Sequence, residues 1–120
     1  MLVESGSRNS IRGNSIYDNN TLGIDLATGA NANQAAPVLT ATTSPTTIGI
    51  AGTLTSRPSS TFLIDLYTST TAGPSGRVYV GTVSVTTNAA GVGTFVFRVT
   101  KLLGTPTFVT ATATDLNNNT

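Results

Sequence analysis

Thr61-Phe62-Leu63-Ile64-Asp65-Leu66-Tyr67-Thr68 is the stretch whose reading decides the fold. Phe62, Ile64 and Leu66 fall on one side of an extended chain, with Leu63, Asp65 and Tyr67 on the other. Side chains alternate with period two along a strand, so these residues predict a strand with one apolar face. The same alternation recurs outward in both directions. Upstream, Ile48, Ile50 and Leu54 alternate with Gly49, Ala51 and Thr53, and Val38-Leu39-Thr40-Ala41-Thr42 offers a shorter run. Downstream, Val83 and Val85 follow Val78-Tyr79-Val80. Phe95, Phe97 and Val99 then stand opposite Val96 and Arg98, and Phe108-Val109-Thr110-Ala111-Thr112-Ala113-Thr114 closes the series.

Turn chemistry separates these runs. Ser56-Arg57-Pro58-Ser59-Ser60 and Gly73-Pro74-Ser75-Gly76 interrupt the pattern, and Pro74 has no N–H to give to a ladder. Asn88-Ala89-Ala90-Gly91 is a connection of hairpin length. No stretch sets apolar residues at helical spacing between caps. Short strands at this spacing predict an antiparallel sandwich or barrel. Its expected core is Ile48, Ile50, Leu54, Phe62, Ile64, Leu66, Val83, Val85, Phe95, Phe97, Val99 and Val109.

Composition narrows the function. A chain of 120 residues fits one ordinary domain, which buries roughly two-thirds of its unfolded surface without needing a metal or disulfide. Six basic residues nearly cancel five acidic ones. Phosphate binding needs clustered Lys and Arg, and Arg8 with Arg12 is too small a cluster, so nucleic acid is not an expected partner. Threonine is the most abundant residue, and its β-branched side chain suits a half-exposed strand. No apolar run approaches the ~18 residues of a membrane helix, so no membrane insertion is expected. Met1-Leu2-Val3-Glu4 lacks the basic-then-apolar pattern of a signal peptide. An exported parent protein would therefore carry this chain as an internal or C-terminal piece.

The first 34 residues have a different texture. Asn9-Ser10-Ile11-Arg12-Gly13-Asn14-Ser15-Ile16-Tyr17-Asp18-Asn19 repeats Asn-x-Ile, and Leu22-Gly23-Ile24-Asp25-Leu26 follows. Ala27 to Ala36 is a small-residue stretch that reads as a linker. Ile11-Arg12-Gly13-Asn14-Ser15-Ile16-Tyr17-Asp18-Asn19, followed by Leu22-Gly23-Ile24-Asp25-Leu26, resembles the last coil of bacterial right-handed parallel β-helix repeat proteins. Asn33-Gln34-Ala35-Ala36-Pro37-Val38-Leu39, Gly52-Thr53-Leu54-Thr55-Ser56, Pro58-Ser59-Ser60-Thr61-Phe62 and Phe108-Val109-Thr110-Ala111-Thr112-Ala113-Thr114-Asp115 resemble the module that follows such a coil. The resemblance implies a secreted or cell-surface bacterial protein, related in its β-helix to pectate-lyase-like folds. It divides the chain into a β-helix-derived coil and linker, 1–34, and an immunoglobulin-like or fibronectin-like antiparallel β-sandwich, 35–120. One coil cannot bury its apolar side alone. It must cap itself on the sandwich, pair with another molecule or stay partly disordered.

Chemistry is sparse. Histidine and cysteine are absent, which removes the commonest general base and the thiolate nucleophile, and a Ser–His–Asp or Cys–His site is impossible within the chain. Lys101 is the single lysine. The carboxylates are Glu4, Asp18, Asp25, Asp65 and Asp115. Asp65, in mid-strand, reads as an exposed residue or one paired with Arg98 across the sheet. Tyr67 and Tyr79, with Asp65 and Arg77, are the candidate ligand-binding residues, because exposed rings with polar neighbours stack on sugars; tyrosines that cover a sheet edge, with Arg77 in ordinary surface packing, are the competing reading. Asp115, Asn117 and Asn119 offer oxygen side chains for Ca²⁺, although no EF-hand pattern is present and a frayed polar terminus is the competing reading. No cofactor is expected.

The expected function is a non-catalytic accessory module of a secreted or cell-surface bacterial protein, serving as spacer, adhesion or assembly element. Self-association into a homo-oligomer is the expected form of assembly. The alternative is a carbohydrate-binding module attached to a polysaccharide-active β-helix protein. A small glycoside hydrolase using paired carboxylates such as Asp65 and Asp25 is a more remote one.

Overall fold

The computed structural model describes residues 1–16, 24–44, 46–69, 78–100 and 108–120. Each alternating run is a strand. These are β3 (Val38–Thr43), β4 (Thr47–Thr55), β5 (Thr61–Ser69), β6 (Val78–Thr86), β7 (Val92–Thr100) and β8 (Phe108–Asp115). Two short strands precede them, β1 (Leu2–Val3) and β2 (Asp25–Leu26), and a 3₁₀ turn at Ala30–Asn33 links the two groups. The Gly73–Gly76 turn, Tyr17, Asp18, Arg77 and Lys101 lie outside the described residues.

The protein is all-β. One antiparallel sheet runs β3-β4-β7 and the other β6-β5-β8. The chain changes sheet after β4, after β6 and again after β7, as in sandwiches of the immunoglobulin kind. Ile48, Ile50 and Leu54 of β4 pack with Phe95 and Val99 of β7 against Phe62, Ile64 and Leu66 of β5, Val85 of β6 and Ala113 of β8. Burying each large side chain contributes about 1.5–3 kcal/mol. Val83, Phe97 and Val109, expected in the core, are half-buried and pack at its margin with Leu39, Val80 and Ala111. Ala113 is a core residue that the pattern of large apolar side chains did not single out.

Two glycines make room for phenylalanines. Gly52 pairs with Phe95, and a Cβ at Gly52 would fall 2.0 Å from the Phe95 ring. Gly81 of β6 receives Phe97 from the opposite sheet, where a Cβ would stand 2.7 Å from the ring. Small residues opposite large ones let the two layers interlock. Beside Gly81 the β5–β6 register shifts between Leu66 and Tyr67. This bulge lets Val80 pack toward the core while Tyr79 pairs with Tyr67.

The N-terminal segment is folded against the sandwich. β1 and β2 pair in parallel, Leu2 with Asp25 and Val3 with Leu26, so the chain returns beside its own start in the same direction. Ile11 is buried. The Ala27–Ala36 stretch differs from a bare linker, because it forms the 3₁₀ turn and carries the fully buried Asn31. The C-terminus is not frayed either: Asn119 and Thr120 are both buried.

Replacing Gly52 with Ala is expected to lower stability by about 1–3 kcal/mol through overpacking against Phe95. Ala51→Thr, on the exposed face one residue away, should stay within about 0.5 kcal/mol of the wild type. Urea unfolding midpoints of the two variants check both, and equal midpoints would show that Phe95 yields without cost.

Candidate functional site

Asp65 occupies the centre of the candidate site. It lies mid-way along β5, on the face turned away from the core, where an uncovered carboxylate would meet water. Instead it is 0 % exposed. Arg12, from the N-terminal segment, donates Nε to Oδ2 at 2.8 Å and Nη2 to Oδ1 at 2.9 Å. The planar guanidinium thus grips both oxygens as a fork. Arg98 is not the partner: it belongs to β7 in the other sheet, opposite Gly49. The Asp65 carboxylate raises the Arg12 pKa above its ordinary value through that hydrogen bond, against the opposing effect of burial.

The cross-strand register supplies the remaining contacts. Thr82 stands opposite Asp65 and donates Oγ1 to Oδ1 at 2.5 Å. Its one hydroxyl proton is used there, so the Tyr79 hydroxyl, 2.6 Å away, is the donor to Thr82. Tyr67 and Tyr79 meet edge to face, with ring centroids 5.8 Å apart and planes at 61°. The structure therefore brings together Asp65, Tyr67 and Tyr79 from the expected ligand-binding set. It does not present them as a platform. Tyr67 is only 5 % exposed, and its hydroxyl accepts the Gly13 N–H at 3.1 Å. Tyr79 alone of the pair is exposed, at 44 %. Burial, and then the charge of Asp65, push the Tyr67 phenol above its ordinary pKa.

A second polar cluster lies where the segment meets the C-terminal tail. Asn31 Oδ1 accepts the Asn9 backbone N–H at 3.0 Å and the Asn9 amide at 2.9 Å. Asn31 Nδ2 donates to the backbone oxygens of Asn9 at 2.8 Å and Thr120 at 3.2 Å. All four hydrogen-bonding positions of this buried amide are thereby filled. Ile11 N–H donates to Thr120 Oγ1, and Arg8 N–H to Asn119 Oδ1.

Asp115, Asn117 and Asn119 also come together, but as a closed turn. Asp115 Oδ1 accepts the N–H groups of Asn117 and Asn119, and Asn119 turns its amide nitrogen to both carboxylate oxygens. Arg57 pairs with Oδ2. Both Asp115 carboxylate oxygens and Asn119 Oδ1 are engaged with donors of the chain itself. Among the described residues, no three His, Cys, Asp or Glu side chains gather as metal ligands. Burial by itself would raise the Asp115 carboxyl; the Asn119 and Asn117 donors and the Arg57 charge outweigh it and hold the pKa below its ordinary value.

Beside these clusters a cleft of about 410 Å³ opens between the segment and β8. Ile16, Ile24, Leu26, Pro37, Leu39 and Val109 form most of its apolar wall. No protein-family model matches the chain, and neither does any curated protein.

Sequence reasoning missed Arg12, Thr82 and Asn31 as the partners that organise the site. Arg12 had one legible signal: with Arg8 it is one of two charged residues between Glu4 and Asp18, both cations with no acidic neighbour in the stretch.

Three outcomes are expected. Arg12→Ala leaves the buried Asp65 carboxylate without its cation and should cost about 2–3 kcal/mol, measured by urea unfolding. Asp115 ionises more readily folded than unfolded, so its contribution to stability is present above pH about 4 and is lost as pH falls through the lowered value. Asp115→Asn should flatten that acid limb. Tyr67 ionises less readily folded than unfolded, so its contribution is complete below pH about 10 and drains as pH rises through the raised value. Tyr67→Phe should abolish that alkaline loss, and an unchanged alkaline limb would assign it elsewhere.

Proposed function

We propose that this chain is a non-catalytic accessory module of a secreted or cell-surface bacterial protein, in which a β-sandwich anchors the end of a β-helix coil. Its role is that of a spacer, adhesion or assembly element. The observation that carries the reading is the docking of the N-terminal segment onto the outer face of β5 through Arg12 and Asp65. That contact spans distant parts of the chain and uses the side chains that a ligand-binding or acid–base reading needs. Asp65 and Asp115 each spend their charge on an arginine, which disfavours both as the free carboxylates of a glycosidase. Parallel pairing of β1 with β2 supports the coil reading, since stacked coils pair in parallel.

The carbohydrate-binding alternative has less support. Tyr67 is covered by the segment, and the walls of the adjacent cleft are chiefly aliphatic.

The test is a binding screen of the full chain against soluble and insoluble polysaccharides, run beside reducing-sugar release and the unfolding of Arg12→Ala. No retention, no release and a destabilised variant are expected. Retention that falls on Tyr79→Ala would replace the structural reading with a carbohydrate-binding one. Sugar release lost on Asp65→Asn would make the protein a hydrolase.

A further inference from the structure

The connection between the docked segment and the sandwich is strained. Asn31, Ala32 and Asn33 have φ of 45°, 55° and 51°, all in the left-handed region. L-residues visit that region singly, Asn more readily than Ala, because Cβ crowds the following carbonyl. Asn31, itself buried, is held there by its four side-chain hydrogen bonds. Ala32 and Asn33 are exposed. Asn33 Oδ1 accepts the Gly29 N–H at 2.7 Å, which ties the tight turn together at the surface. The strain thus sits just past the last anchor of the segment and before β3 begins.

The docking surface lies wholly on the other side of that turn. Asp65, Tyr67, Thr82, Asn119 and Thr120 belong to the sandwich and its tail, while Arg8, Asn9, Ile11, Arg12, Gly13 and Asn31 belong to the segment. A second copy of the chain offers the same surface with the same chemistry. We infer that two copies exchange their N-terminal segments, the Arg8–Gly13 stretch and Asn31 of each docking on the other's sandwich while Ala32 and Asn33 extend. Every docking hydrogen bond survives the exchange, and two left-handed residues are released from their turn. Loss of independent motion opposes it, so the dimer grows with concentration. The inference deepens the assembly reading and rests on the segment being docked through Arg12 and Asp65.

The test combines hinge variants with a charge exchange. Proline at position 33 fixes φ near −65° and pushes Ala32 toward an extended conformation, so Asn33→Pro cannot hold the closed turn. By light scattering it should dimerise at a concentration about tenfold or more below that needed by the wild type. Glycine relieves the crowding, so Ala32→Gly with Asn33→Gly should weaken the dimer by about five- to tenfold. Arg12→Asp and Asp65→Arg each place like charges across the docking contact of one chain. Mixed, and refolded together where either fails alone, they should form a mixed dimer, because only exchange sets opposite charges against each other at both docking contacts. An Asn33→Pro chain that stays monomeric, or dimers in which the charge variants never combine, would overturn the exchange. Retained destabilisation by Arg12→Ala would then leave the docked segment standing. Loss of that effect as well would remove the docking reading itself.

Discussion

Asp65 is a carboxylate in the middle of a strand, shut away from water, and the arrangement of the N-terminal third of the chain follows from that. A buried anion costs several kcal/mol unless an opposite charge and further donors surround it. Thr82 is the donor that the sheet's own register supplies directly. The cation has to come from elsewhere, and Arg12 brings it from the N-terminal segment. Once Arg12 is in place, Ile11 and Gly13 are fixed beside it, Gly13 reaches the Tyr67 hydroxyl, and the outer face of β5 is closed. The segment is thus tied to the sandwich by a need that originates in the sandwich. That dependence also explains why the two outer faces differ. On the β3-β4-β7 sheet the corresponding row is Thr40, Ala51 and Val96, which carries no charge, and Val96 stays open to solvent.

The sandwich was legible because its strands announce themselves one at a time. Phe62, Ile64 and Leu66 need only alternate to face a core, whatever lies opposite. The large core residues were accordingly visible, while Ala113 was not, since a methyl side chain carries little apolar signal. The site was less legible for the same reason. Its partners come from different parts of the chain, and nothing local marks Arg12 as belonging to Asp65. A bulge adds to the difficulty: without the register shift at Leu66 and Tyr67, strict alternation would set Val80 where Tyr79 stands. Tyr67 misled in another way. It shares the polar face of β5 with Asp65, and polarity reads as exposure until a second layer is known to cover it.

The small-residue stretch from Ala27 to Ala36 shows how composition and conformation part company. Ala, Gly and Asn read as a flexible linker because they carry little apolar surface. The same residues tolerate tight turns, and Asn31 adds an amide that can satisfy four hydrogen bonds in a buried place. At the other end, Asn117 to Thr120 looks like a polar fringe, yet Asp115 curls it back and Thr120 meets Ile11 and Asn31.

This use of amides fits a chain with so few charges. Of the two arginine–aspartate pairs, Arg12–Asp65 crosses the interface, and Arg57–Asp115 fixes the C-terminal tail that the segment meets at its other end. Between them the register is set by Asn9, Asn31, Asn119 and Thr120, whose hydrogen bonds are directional. An apolar contact of the same area would tolerate a shift of the segment by one residue. The amide network does not, because a slip would leave Asn31 buried with unpaired donors and acceptors. Apolar packing therefore holds the two sheets together, and polar pairing decides where the N-terminal segment sits on them.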